Sequence, residues 1–297
     1  MESRCAISII CCSINPDESE DLRRNIELTI GRAGFEFIVF DNREANLPLA
    51  EVYNRCAEQA LYDSLCFVHE DVRFLTHDWG RIVLNQLQNE QCGVIGFAGG
   101  TLRLKGQNTM FLGSSDRRTH FRRGGSTKIH SVNPQRLDFS PVVTLDGMCL
   151  MVSKKVWAAT RFDANNFAGF HGYDMDFTIA TTVAGFRNYV CNNALIEHRS
   201  DGSFSKEWVD SMERIGRKWA DELPLSTEPL QTERIGQLEK RARTRFVHVL
   251  MSKGLCRQLS FKQLLSIADI RPVDPCAWQL WFDRLKYNSR HKPKQSR

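Results

Sequence analysis

Four short polar clusters hold the side chains of this 297-residue chain best suited to chemistry. His69-Glu70-Asp71 follows the apolar run Leu65-Cys66-Phe67-Val68. An imidazole and carboxylates this close at a strand end can hold a hard divalent cation that also touches a diphosphate; equally, such residues cap the next helix or meet solvent. Asp41-Asn42 ends another apolar run. A carboxylate there can accept hydrogen bonds from a base or a ribose hydroxyl, and the same dipeptide is ordinary turn chemistry. Gly172-Tyr173-Asp174-Met175-Asp176-Phe177 places two carboxylates at the start of a helix-like segment. They either cap it, for about 1 kcal/mol or less each, or supply a general base. Asp174 is the better base, because Asp176 precedes apolar Phe177 and suits a cap. Ile196-Glu197-His198-Arg199-Ser200 closes a late strand on a histidine, which serves either as a hydrogen-bonder or as a metal ligand.

These clusters need elements to bring them together. Residues 6–14 are nearly all apolar, as in a strand buried on both faces. Residues 17–30 carry Leu22, Ile26 and Ile30 at helical spacing, and Gly31 and Gly34 close that helix. A strand over 35–40, a helix opened by Pro48 and running to 61, a strand over 65–68, a helix over 76–88 and a strand over 93–97 follow. This alternation predicts an α/β fold: a mostly parallel central sheet flanked by helices, with ligands at the carboxyl ends of the strands. Residues 99–141 lose periodicity and are rich in Gly, Ser, Arg and Lys. Strand character returns over 142–152, around Asp146-Gly147, and over 187–190 and 195–196, with a loop entering a helix over 170–184 between them. Two parts are expected, a catalytic domain over 1–222 and a helical, basic C-terminal extension over 223–297, its end from 288 frayed and cationic.

Composition narrows the classes. The net charge is only +5, from 40 Lys and Arg against 35 Asp and Glu. The basic residues lack interleaved aromatics for base stacking, so no nucleic-acid partner is expected. No apolar run reaches the roughly 18 to 20 residues that span a bilayer. The apolar stretch after Arg4 ends in Asn15-Pro16-Asp17 without a small-residue cleavage site, and reads as a buried strand rather than a leader. The ten cysteines include no Cys-x-x-Cys pair and read as small hydrophobes in a reducing cytoplasm. The basic stretch 117–128 is either a solvated surface or a cover for a phosphate group. The basic C-terminal helices either pack on the catalytic domain or rest on the inner face of an anionic membrane.

In their order and strand-end placement, the clusters resemble the inverting family 2 glycosyltransferases with the GT-A (Rossmann-like) fold, in the bacterial branch where Asp-x-Asp begins with histidine. The resemblance spans roughly residues 4–208. It rests on Phe37-Ile38-Val39-Phe40-Asp41-Asn42, on Leu49-Ala50-Glu51-Val52-Tyr53-Asn54-Arg55-Cys56, on Phe67-Val68-His69-Glu70-Asp71-Val72, on Leu145-Asp146-Gly147-Met148, on His171-Gly172-Tyr173-Asp174-Met175-Asp176 and on Ile196-Glu197-His198. It implies donor contacts from Ile14, Asn15, Asp41, Asn54, His69, Glu70, Asp146 and Gly147. It implies a Mn2+ or Mg2+ ion held by Asp71, His198 and His69, and Asp174 as catalytic base. The implied partners are a nucleotide-sugar donor, UDP by default, and a glycan or lipid-linked acceptor, as in polysaccharide biosynthesis. Two departures stand out: His69 replaces an aspartate, and Tyr173 replaces the glutamate of Glu-Asp. The altered Asp-x-Asp supports a rival reading, a non-catalytic nucleotide-sugar or glycan-binding protein on a decayed scaffold. A nucleotidyltransferase would need a glycine-rich phosphate loop after the first strand, where Ile14-Asn15-Pro16-Asp17-Glu18 has none.

Overall fold

The computed structural model describes residues 5–107, 109–200, 202, 204–255, 261–269, 278, 281, 282 and 284. The cationic end at 288–297 lies outside the described residues. The first half runs β1 (Ala6–Ser13), α1 (Pro16–Thr29), β2 (Gly34–Asp41), α2 (Leu49–Gln59), β3 (Ser64–His69), β4 (Val72–Phe74), α3 (Trp79–Leu87), β5 (Cys92–Gly96), β6 (Ala98–Gly100) and β7 (Leu102–Arg103). It continues with β8 (Arg117–Arg123), β9 (Ile129–Val132), β10 (Phe139–Val142), β11 (Thr144–Leu145), β12 (Cys149–Ser153), α4 (Lys154–Thr160), α5 (Tyr173–Val183), β13 (Arg187–Cys191) and β14 (Ile196–His198). Then come α6 (Lys206–Lys218), β15 (Leu225–Ser226), α7 (Thr232–Ser252) and α8 (Phe261–Ala268).

The central sheet has seven strands in the order β10-β13-β5-β12-β3-β1-β2. Parallel ladders join β1 to β2, β1 to β3 and β13 to β5, while β12 and β10 pair antiparallel with their neighbours. Five strands therefore share one direction and two oppose it. Both faces of the inner strands are covered, which is why β1, β3, β5 and β12 are almost continuously apolar. The period of two sends Ile10 of β1 to a core shared with α2 and α5, including Tyr53, Phe67 and Phe177. Ile7, Ile9 and Cys11 go to the opposite core, with Leu22 and Ile26 of α1 and Trp79 of α3. Helix α1 starts where Asn15 accepts a hydrogen bond from the Asp17 N–H with Pro16 in its first turn, so a cap and a pre-set φ agree on one boundary.

A second, six-stranded sheet contains β11-β6-β8-β14-β4, with β9 on β8. Here the sequence reading needs correction. The stretch 99–141 contains strands β6, β7, β8, β9 and β10, and Arg117–Arg123 is a strand. Its basic side chains hid the strand because its cross-strand partners are polar too: Arg122 of β8 bonds Glu197 of β14 at 2.7 Å. Asp146-Gly147-Met148 likewise breaks the single strand expected over 142–152 into β11 and β12.

The apolar stripe of α7 is used within the chain. Ala242 packs with Leu102, Leu104 and Leu112, while Phe246 and Leu250 pack with α8 and partly buried Trp208. Glu239 accepts from the backbone N–H groups of Lys105 and Gly106 at 2.8 and 2.7 Å. Packing on the rest of the fold thus accounts for these residues. Among the described residues no helix is long and apolar enough to cross a membrane.

Candidate active site

Parallel β1, β2 and β3 all end at one edge, and the register sets Ser13 beside Asp41 and Cys12 beside His69. The chain turns after His69 into β4, which pairs antiparallel with β14 so that His198 faces Val72. That pairing brings together residues more than a hundred positions apart. One donor atom each from His69, Asp71 and His198 lies within 4.8 Å of the others. His198 Nε2 is 3.4 Å from Asp71 Oδ1, and the Ser200 N–H donates to Asp71 Oδ2 at 2.9 Å. Burial pushes the Asp71 carboxyl up, but His198 and the Ser200 N–H outweigh it and hold the pKa well below the usual carboxylate range. His69 is pushed down to about 4, first by burial and then by the charge of His198. One ionised carboxylate and two imidazoles suit Mn2+ or a similar divalent ion. Ligands on a common ion at roughly 2.0–2.2 Å would sit about 3–4 Å apart, so these three fit after small rotations.

The second half of the site is the turn between β11 and β12. The Gly147 N–H donates to Asp174 Oδ2 at 2.9 Å, and Tyr173 Oη lies 2.9 Å from His69 Nε2 and 3.3 Å from the Gly147 carbonyl. Asp174 begins α5 after Gly172, whose φ of +86° is a left-handed value that glycine adopts freely. Burial, and then the charge of Asp146, raise the Asp174 carboxyl to about 7. A half-buried carboxyl titrating near neutrality is matched to proton abstraction at that pH. Burial also raises Asp146, against the favourable charge of His198. His69, Asp71, Asp146, Gly147, Asp174 and His198 therefore form one connected group.

Other expected contacts have different surroundings. Glu70 is taken by the β1–α1 turn: its carboxylate accepts from Ser13 Oγ at 2.6 Å and from the Ile14 and Asn15 N–H groups at 3.2 and 3.0 Å. It orders that turn, and the Asn15 side chain caps α1. Asn54 is engaged within the protein. Its amide donates to the Phe162 carbonyl at 2.7 Å and accepts from Phe162 N–H and Trp157 Nε1 at 3.2 Å each, which ties α2 to α4 and the chain after it. Asp41 is at the same sheet edge but exposed, and Arg43 clasps it and holds it down to about 2. Asp176 is not a helix cap: its carboxylate accepts from Lys218 Nζ and Trp219 Nε1 at 2.9 and 2.8 Å, pinning α6 to α5. Sequence reasoning missed Phe170, an exposed ring 5.5 Å from that of His69, and buried Arg103 beside Asp174. Phe170 adjoins a motif that was legible; Arg103 lies in the stretch without periodicity.

The family described as "Glycosyltransferase like family" matches residues 8–216. No curated protein matches the chain. GalNAc-T7, solved with UDP, GalNAc and Mn2+, superposes with a TM-score of 0.53 at 9% identity, covering 96% of this chain and 57% of that one. TarS residues 1–349 of S. aureus superpose with a TM-score of 0.56 at 10% identity, covering 98% of this chain and 93% of that one. At these identities the superpositions speak for the GT-A fold, and the family match spans more than half of the sequence. The chain belongs to the glycosyltransferase-like family and is a glycosyltransferase with the GT-A fold.

Proposed function

We propose that the chain moves a sugar from a nucleotide diphosphate, UDP by default, to a hydroxyl of a glycan or lipid-linked acceptor, inverting the anomeric carbon in one displacement. The observation that carries this reading is the pairing of two unlike centres across one turn: the His69–Asp71–His198 donor set on one side and Asp174, raised to about 7, on the other. Asp71, His198 and His69 would hold the cation, which when bound offsets the charge developing on the leaving diphosphate. Asp174 takes the proton of the acceptor hydroxyl, and the Gly147 N–H fixes the direction of its carboxylate. Asp41, once Arg43 releases it, would accept from a base or ribose at the end of β2. Arg123 of β8 lies beside His198, and the Gly124 N–H donates to the His198 carbonyl at 2.9 Å, so the basic turn borders the diphosphate side.

The reaction is proposed for a reducing cytoplasm, where the free thiols of the described cysteines would persist. The test is hydrolysis of UDP-sugars without acceptor, with and without Mn2+. Metal-dependent release of UDP that Asp71→Ala abolishes is the expected result. Binding of UDP-sugar without any turnover, with or without sugar acceptors, would favour the non-catalytic binding protein instead.

A further inference from the structure

Tyr173 stands where the resemblance places a glutamate, and the structure gives its hydroxyl a task. The ring is 2% exposed and is wedged against Tyr53 and Phe162, with ring centroids 5.8 and 5.9 Å away. It has little room to swing. The hydroxyl reaches two groups, His69 Nε2 at 2.9 Å and the Gly147 carbonyl at 3.3 Å. A phenol has one proton to donate, while its oxygen can also accept; a carbonyl can only accept. With both contacts made, the Tyr173 proton goes to Gly147 and the Tyr173 oxygen accepts from His69. The His69 ring proton is then on Nε2. The hydrogen bond made by one ring nitrogen decides what the other can do, so the lone pair left to His69 is that of Nδ1.

We propose that Tyr173 is a positioning residue that holds His69 as its Nε2–H tautomer and thereby makes Nδ1 the atom offered to a divalent cation shared with Asp71 and His198. This rests on the metal reading of the site and extends it to a residue outside the donor set. Gly147 fits the same design. A Cβ there would come within 2.1 Å of Tyr173 Oη, so the hydroxyl occupies the space that any side chain at 147 would need. Gly147 also donates to Asp174, so two successive residues of α5 bond to one turn. The orientation of a metal ligand and that of the base are thus fixed together.

Long-range proton–nitrogen NMR on the histidine rings of the metal-free protein reads the tautomer directly, with His69→Gln assigning the signals. Nε2 protonated and Nδ1 unprotonated in the wild type is the expected result, followed by a shift at Nδ1 when Cd2+ is added. Tyr173→Phe should lose this tautomer preference and weaken Mn2+ binding by about 10- to 100-fold in calorimetry, the usual scale for an outer partner of a metal-bound histidine. A proton on Nδ1 in the wild type would overturn the proposal, as would a Cd2+ shift at Nε2 or a Tyr173→Phe variant that binds Mn2+ as tightly as the wild type. The wild-type spectra decide the matter even if the variant misfolds. A wild type that binds no cation would sink the metal reading itself, a result distinct from a wrong tautomer.

Discussion

Replacing Asp174 with asparagine should slow the enzyme and stabilise it in the same stroke. The carboxyl rises from its ordinary 3.8 to about 7, first because it is buried and next because Asp146 is close. A folded pKa above the unfolded value means that the neutral form favours folding. That contribution is complete below about 4 and is lost as pH rises through about 7. Three pKa units correspond to roughly 4 kcal/mol at about 1.4 kcal/mol each. Asp174 keeps a partly open face, so we take about half, roughly 2 kcal/mol, as the cost of its charge at pH 8. Asparagine is isosteric, cannot ionise, and its Oδ1 can still accept from the Gly147 N–H. In differential scanning fluorimetry without metal, Asp174→Asn should melt a few degrees above the wild type at pH 8, at about 2–4 °C per kcal/mol. At pH 5 the gap should shrink markedly. Turnover should fall by about 100-fold or more while donor affinity holds. A melting difference that is the same at both pH values would refute the raised carboxyl, and unchanged turnover would remove Asp174 from the chemistry.

The same carboxyl predicts that kcat/KM rises with pH through about 7 as Asp174 loses its proton; a flat profile between about pH 5 and pH 9 would contradict it. Asn54→Ala should cost about 2–3 kcal/mol in urea unfolding, from three lost hydrogen bonds, with UDP affinity unchanged; a selective loss of nucleotide binding would return Asn54 to the donor site. Asp176→Ala should destabilise by about 1–3 kcal/mol, because Lys218 and Trp219 lose both acceptor oxygens, while leaving the KM for donor near the wild-type value. Unchanged stability would show that α6 is held by its apolar contacts alone.

Much of the fold was legible because apolar periodicity and strand-end polarity agree over residues 6–97. The inner strands β1, β3 and β5 are buried on both faces and each helix on one, so side-chain type tracks environment there. Legibility failed where that link breaks. The polar strand β8 is stabilised by a cross-strand ion pair that no local pattern announces. In the candidate site, His69, Asp71, His198 and Asp174 stand out in the sequence because each ends or follows a strand or starts a helix, and the fold gathers the first three within 4.8 Å. Glu70 and Asn54 have the right type and place, but bond to backbone partners that are distant in sequence: the β1–α1 turn and Phe162. A carboxylate already bonded to a neighbouring turn cannot be told from an available one by sequence spacing. Tyr173 stands out in the sequence only as a substitution, because its partner His69 lies 104 positions away.

Mn2+ electron paramagnetic resonance tests most directly whether the strand-end cluster is a metal site built for a nucleotide diphosphate. Titrating Mn2+ into the protein should deplete the free-ion signal at one site per chain, more tightly with UDP than without, and Asp71→Ala should abolish this. Full persistence of the free-ion signal in the presence of UDP, or equal binding by Asp71→Ala, would mean that His69, Asp71 and His198 do not hold the ion.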